Sequence, residues 1–80
     1  MRPEKSRERL QTSCLTMCRQ RPGCRHLRRV LIGRTKPIDG GPNWELLAFE
    51  PELAPEAYNE AMKAVDILRQ VYALALPAGK

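Results

Sequence analysis

From Glu56 to Ala75 the chain runs without a glycine or proline, and its apolar residues recur at helical spacing. At about 100° per residue, Tyr58, Ala61, Met62, Val65, Leu68 and Tyr72 fall on one stripe. Ala64, Ile67, Val71, Leu74 and Ala75 form a second stripe beside it, which leaves Asn59, Lys63, Asp66 and Gln70 as the polar face. The pattern predicts a helix over 55–75. Pro55 suits its first turn, where a missing N–H costs nothing. Leu53 and Tyr58 occupy the two positions of a hydrophobic staple. Glu50, Glu52 and Glu56 place negative charge near the positive end of the helix dipole. Pro77 and Gly79 are the stop signals.

Two shorter runs have strand character, Leu27 to Gly33 and Trp44 to Phe49. Between them Pro37, Asp39, Gly40, Gly41 and Pro42 crowd one stretch with turn formers, so it reads as a loop. It is too long for a tight hairpin turn, and the turn alone does not set the register. In strict alternation Val30 and Ile32 share one face with Leu31 opposite, while Trp44 and Leu46 share one face and Leu47 and Phe49 the other. Apolar residues on both faces imply a sheet covered on two sides. The expected fold is α+β: a two-stranded antiparallel hairpin followed by one long amphipathic helix, a ββα unit over 25–80.

Residues 1–24 carry the weakest pattern. A helix opened by Pro3 and ended by Pro22-Gly23 would bring Leu10, Cys14, Met17 and Cys18 to one side. Six basic side chains in that stretch repel one another, and Thr12, Ser13 and Thr16 are poor helix formers. The expectation is a flexible Arg-rich arm, with a conditional helix as the alternative.

Charge sharpens the division. Residues 1–36 hold eleven Arg or Lys against Glu4 and Glu8, for +9, whereas residues 37–80 hold three bases against seven acids, for −4. A basic front on an acidic back implies either polyanion contact or attraction between the two halves. An 80-residue chain buries only about 60% of its unfolded surface, so metals, disulfides and partners are the usual supplements. No apolar run reaches the roughly 20 residues of a membrane span. The start leads into no hydrophobic signal core, so the expected compartment is the cytoplasm.

Candidate chemistry is thin. Cys14, Cys18, Cys24 and His26 are four potential zinc ligands, but their spacing contains no C-x2-C knuckle and fits no common finger or ribbon. An odd cysteine count without an export signal argues equally against a disulfide. His26 is the one histidine, and no carboxylate is placed to orient it for a thiol nucleophile. Asp39-Gly40-Gly41 lacks the Gly-Lys-Ser/Thr ending of a phosphate loop. We therefore expect no catalytic residue, metal or cofactor, and no enzyme activity.

Two signals stand above this background. Arg25, Arg28, Arg29 and Arg34 bracket the first strand and suit phosphate contact, although no aromatic residue lies in 1–43 to stack on bases. The second is the doubled stripe of the helix, which one hairpin cannot cover. Ile67, Val71 and Leu74, with Trp44, Tyr58 and Tyr72 as aromatic anchors, are the expected core or dimer-interface residues. The functional expectation is a small interaction module acting as a homodimer, with a nucleic-acid-associated protein as the alternative.

Gly41-Pro42-Asn43-Trp44, then Phe49-Glu-Pro-Glu-Leu53 and the helix ending Leu68-Arg-Gln-Val-Tyr72, resembles short uncharacterised bacterial proteins with an Asn-Trp strand, a Pro-rich turn and one amphipathic helix. The resemblance covers about half the chain. It implies the ββα layout and brings no activity, cofactor or functional residue.

Overall fold

A computed structural model describes residues 2–75. The order of elements is β1 (Glu4–Lys5), α1 (Arg7–Arg19), β2 (Arg29–Arg34), β3 (Trp44–Glu50), α2 (Pro55–Val71) and β4 (Ala73–Leu74). The hairpin and long helix of the expected layout are present. To them the structure adds a second helix and a parallel two-residue pairing of β1 with β4.

The second helix lies in the segment expected as an arm. Ser6 caps α1, its hydroxyl accepting from the Arg9 N–H at 3.2 Å, and Glu8 stands in the first turn. Leu10, Cys14 and Cys18 follow at four-residue intervals, and each is fully buried. Mutual repulsion of the basic residues, the reason for expecting an arm, is relieved by where they point. Arg7 and Arg9 face solvent, Arg19 Nε donates to Leu27 O at 2.7 Å, and Arg21 pairs with Glu60 at 3.0 Å. Arg2 donates to the carbonyls of Gln70 and Gly40. Core residues thus begin at Leu10, and a domain starting at residue 25 would lack one wall of its core.

α1 packs on both β2 and α2, and α2 meets β3 through side chains, Tyr58 on Phe49 and Arg69 on Trp44. Small residues make the packing of α1 on α2 possible. Ala57, Ala61 and Ala64 form the buried edge of α2. Cys18 Sγ donates to Ala61 O at 3.5 Å, and Cys24 Sγ to Ala57 O at 3.3 Å. Gly23, at φ +81°, lets the loop after α1 pass so close to α2 that a Cβ there would sit 3.1 Å from the Cβ of Ala57. Of the second helical stripe only Ala64 is covered within the helix, while Ile67 and Val71 stay about half exposed.

β2 and β3 pair antiparallel, with Val30 opposite Phe49 and Ile32 opposite Leu46. Leu31 faces Ala48, so Leu47 is an extra residue, a β-bulge. The bulge overturns the alternation read from sequence. Phe49 joins Trp44 in the core instead of sharing a face with Leu47, and Leu47 is left 62% exposed. Leu47 lies over Gly33, where a Cβ would meet its side chain at 2.9 Å.

α2 starts at Pro55 as expected, with Leu53 partly buried against the core and Tyr58 set edge-on to Phe49 at 5.5 Å between ring centroids. It ends at Val71 rather than Ala75, because Ala73 and Leu74 leave the helix to pair with Glu4 and Lys5. Pro77 and Gly79 lie outside the described residues. The Asn-Trp pair fastens this end of the chain. Asn43 makes two hydrogen bonds with the Leu74 backbone, at 3.0 and 2.8 Å, in the manner of a strand neighbour. Trp44 Nε1 donates to Tyr72 O at 3.0 Å, and Arg69 Nε to Trp44 O at 2.8 Å. Among the described residues no helix is long and apolar enough to cross a membrane.

Candidate functional site

The cysteines and His26 do not come together as a ligand set. All three thiols are buried and free, while His26 faces solvent. Among the described residues no group of three or more His, Cys, Asp or Glu side chains is arranged to hold a metal ion. The thiols behave as small core residues. Burial, followed by the neighbouring Cys18, pushes Cys14 from 9.0 up to about 12. Burial again, with Cys24 adding and Arg21 opposing, takes Cys18 to about 11. Cys24 is raised chiefly by burial and secondly by the charge of Glu60.

A thiol with a raised folded pKa keeps its proton where the unfolded chain has lost it. Its contribution to stability is complete below pH 9.0 and is lost as pH climbs through the folded values. At about 1.4 kcal/mol per pH unit for each thiol, Cys14 and Cys18 together should lower unfolding free energy by about 2–3 kcal/mol between pH ~8 and ~10. Urea melts at the two pH values measure it, and Cys14→Ala should remove about half the difference. In the native state at neutral pH, reaction with a thiol reagent should be slower than in urea by about 100-fold or more.

Glu60 ties the loop after α1 to α2. Its carboxylate bonds Lys63 Nζ at 3.0 Å and Arg21 Nη2 at 3.0 Å. The hydrogen bond from Lys63, with the charges of Lys63 and Arg21, holds its pKa below 4.5 against a smaller opposing effect of burial. The structural use of Glu60 accounts for one of the acids in the back half without catalysis.

The arginines of the first strand separate into different places. Arg28 and Arg29 lie side by side on a cleft between α1 and β2, whereas Arg34 is at the far end of β2, beside a shallow hollow lined by Thr35, Lys36, Pro37 and Asn43. Five strand steps put these ends about 17 Å apart. Arg25 is exposed in the turn before β2. Arg25, Arg28 and Arg34 have no carboxylate within ion-pair distance among the described residues, and Arg29 reaches Glu50 at 3.5 Å.

The six expected core or interface residues divide as well. Trp44 and Leu74 are in the core, and Tyr72 packs half-buried against it. Tyr58 is half-exposed on Phe49. Ile67 and Val71, one turn apart on α2, remain 51% and 45% exposed on the flank that neither the hairpin nor α1 covers. Among the described residues Leu47 and Ile38 are further large apolar side chains left mostly exposed. Sequence reasoning missed Leu47, for which only the bulge is responsible, and the cleft along β2, which required α1 to be seen as part of the fold. No family model, curated protein or solved structure matches the chain.

Proposed function

We propose that the protein is a small non-enzymatic interaction module that forms a homodimer through the outward flank of α2. The observation that carries the reading is the pair Ile67 and Val71, one turn apart on α2 and both left half in water. An isologous contact brings this pair onto its own copy about a two-fold axis. Each side chain gains up to about 1.5 kcal/mol by going from half-exposed to buried, a substantial term for so small a domain. Ala64 is buried and Leu74 has left the helix for a strand, so the flank is narrower than the sequence pattern implies.

Because both residues are exposed in the single chain, charge can be placed there without disturbing the core. Val71→Glu should halve the mass read by light scattering while leaving the thermal melt of the monomer within a few degrees. Leu47→Lys, on the outer face of the hairpin, should leave the dimer mass unchanged. A single-chain mass for the unaltered protein at about 0.1 mM, where interfaces of modest affinity are filled, overturns the reading. Loss of the dimer in Leu47→Lys rather than Val71→Glu moves the contact to the sheet.

A further inference from the structure

Between α1 and the edge of β2 runs a cleft of about 250 Å³ whose lining includes Glu8, Gln11, Leu15, Arg28, Arg29 and Val30. α1 runs antiparallel to β2 here, since Gln11 reaches Ile32 and Arg19 reaches Leu27. The cleft therefore has a polarity. Arg28 and Arg29 lie at one end, with Arg19 close by, and Glu8 lies toward the other. Between them the half-buried Leu15 supplies the apolar surface, since Val30 is only 2% exposed. The basic end is short of partners. Arg28 is exposed with no carboxylate in reach among the described residues, and Arg29 holds Glu50 only loosely at 3.5 Å.

The strand edge itself is already capped. Gln11 Oε1 accepts from the Ile32 N–H at 3.1 Å, and Arg19 Nε donates to Leu27 O at 2.7 Å. Side chains of α1 thus stand where an added strand would form its hydrogen bonds, which guards the edge against strand addition. An occupant must be recognised by side chains. Guanidinium pairs match carboxylates and phosphates equally well in geometry, but Leu15 adds an apolar contact and Glu8 would repel a continuous phosphate chain. Those two features favour a peptide over a nucleic acid.

We infer that this cleft binds a short acidic-apolar peptide segment of a protein partner, with carboxylates on Arg28 and Arg29 and an aliphatic side chain on Leu15. This goes beyond self-association. The cleft lies along β2 and includes neither Ile67 nor Val71, so loss of the dimer and loss of the peptide are separate results.

The test is an amide-shift titration of the full chain, in the Val71→Glu background as well as the unaltered one, with the synthetic peptide Leu-Glu-Glu-Leu. The expected result is saturable shifts at Thr12, Leu15 and Val30, with a Kd of about 0.1–1 mM, as befits so small a contact. Arg28→Glu combined with Arg29→Gln should weaken binding by about tenfold, the worth of one or two exposed charge pairs, with an unchanged melt because both side chains are on the surface. Three results each overturn the inference: no shifts at peptide concentrations near 5 mM, roughly five- to fiftyfold above the expected Kd; equal shifts with Leu-Lys-Lys-Leu; or a short DNA duplex displacing the peptide and binding more tightly than it does. The last would return the arginines to phosphate contact.

Discussion

A chain lacking residues 1–24 is expected to show no cooperative thermal unfolding. The truncation removes Leu10, Cys14, Cys18 and Cys24, all fully buried, and strips the cover from Val30, Ile32, Ala57, Ala61 and Ala64. Burying one leucine contributes about 1.5–3 kcal/mol, and the three cysteines behave as smaller apolar residues of the same kind. A domain of this length has only about 4–10 kcal/mol of net stability. The loss is comparable with the whole. A flexible arm on a self-sufficient hairpin-and-helix unit would give the opposite result, an intact melt at nearly the same temperature. Circular dichroism of the two chains side by side distinguishes them, and Leu10→Asp in the full chain, which forces a carboxylate into a fully buried position, should reproduce much of the effect.

The reason this element was hard to see in the sequence is electrostatic. Composition registers six basic side chains in the first 24 residues but not where each one ends. Arg19 and Arg21 are placed on a carbonyl and a carboxylate by tertiary contacts, and Arg2 bridges two carbonyls far along the chain. Local repulsion is relieved by partners that only the fold supplies. The four-residue spacing of Leu10, Cys14 and Cys18 was the legible sign, because cysteine is among the most buried of residue types. By contrast α2 declared itself through its own periodicity and Pro55, which depend on no distant partner. Its last turn did not, since the choice between helix and strand at Ala73–Leu74 is decided by Glu4–Lys5 at the other end of the chain. The phase of β3 was equally hidden. One extra residue at Leu47 reverses every face assignment beyond it, and a bulge has no reliable mark in a sequence without a glycine at the site.

Trp44→Ala is expected to lower Tm by about 15–30 °C, or to leave no folded population at all. Removing a fully buried tryptophan costs about 3–5 kcal/mol, and in a chain this small each kcal/mol moves Tm by about 4–8 °C. Here the indole does two jobs. It fills the core between the hairpin and α2, and its Nε1–H satisfies the Tyr72 carbonyl where the chain leaves the helix. Trp44→Phe separates them. Most of the ring volume is kept, the donor is lost, and the expected cost is about 1–3 kcal/mol. Leu47→Ala, three residues along the same strand, should cost less than about 1 kcal/mol because Leu47 is mostly in water. Equal sensitivity at the two positions would mean that the bulge is absent and Leu47 packs inward. The same experiment explains the Asn-Trp motif, since the side chains of Asn43 and Trp44 together hold Tyr72 and Leu74, and through Leu74 the first strand.

The basic, cysteine-bearing front is part of the one core, with α1 packed on both β2 and α2. Amide hydrogen exchange along α1 tests it most directly. The N–H groups from Cys14 to Cys18 should exchange about 1,000-fold or more slowly than in an unfolded chain, together with those of Val30 and Ile32. Exchange at unfolded-chain rates through α1, while β2, β3 and α2 stay protected, would contradict it.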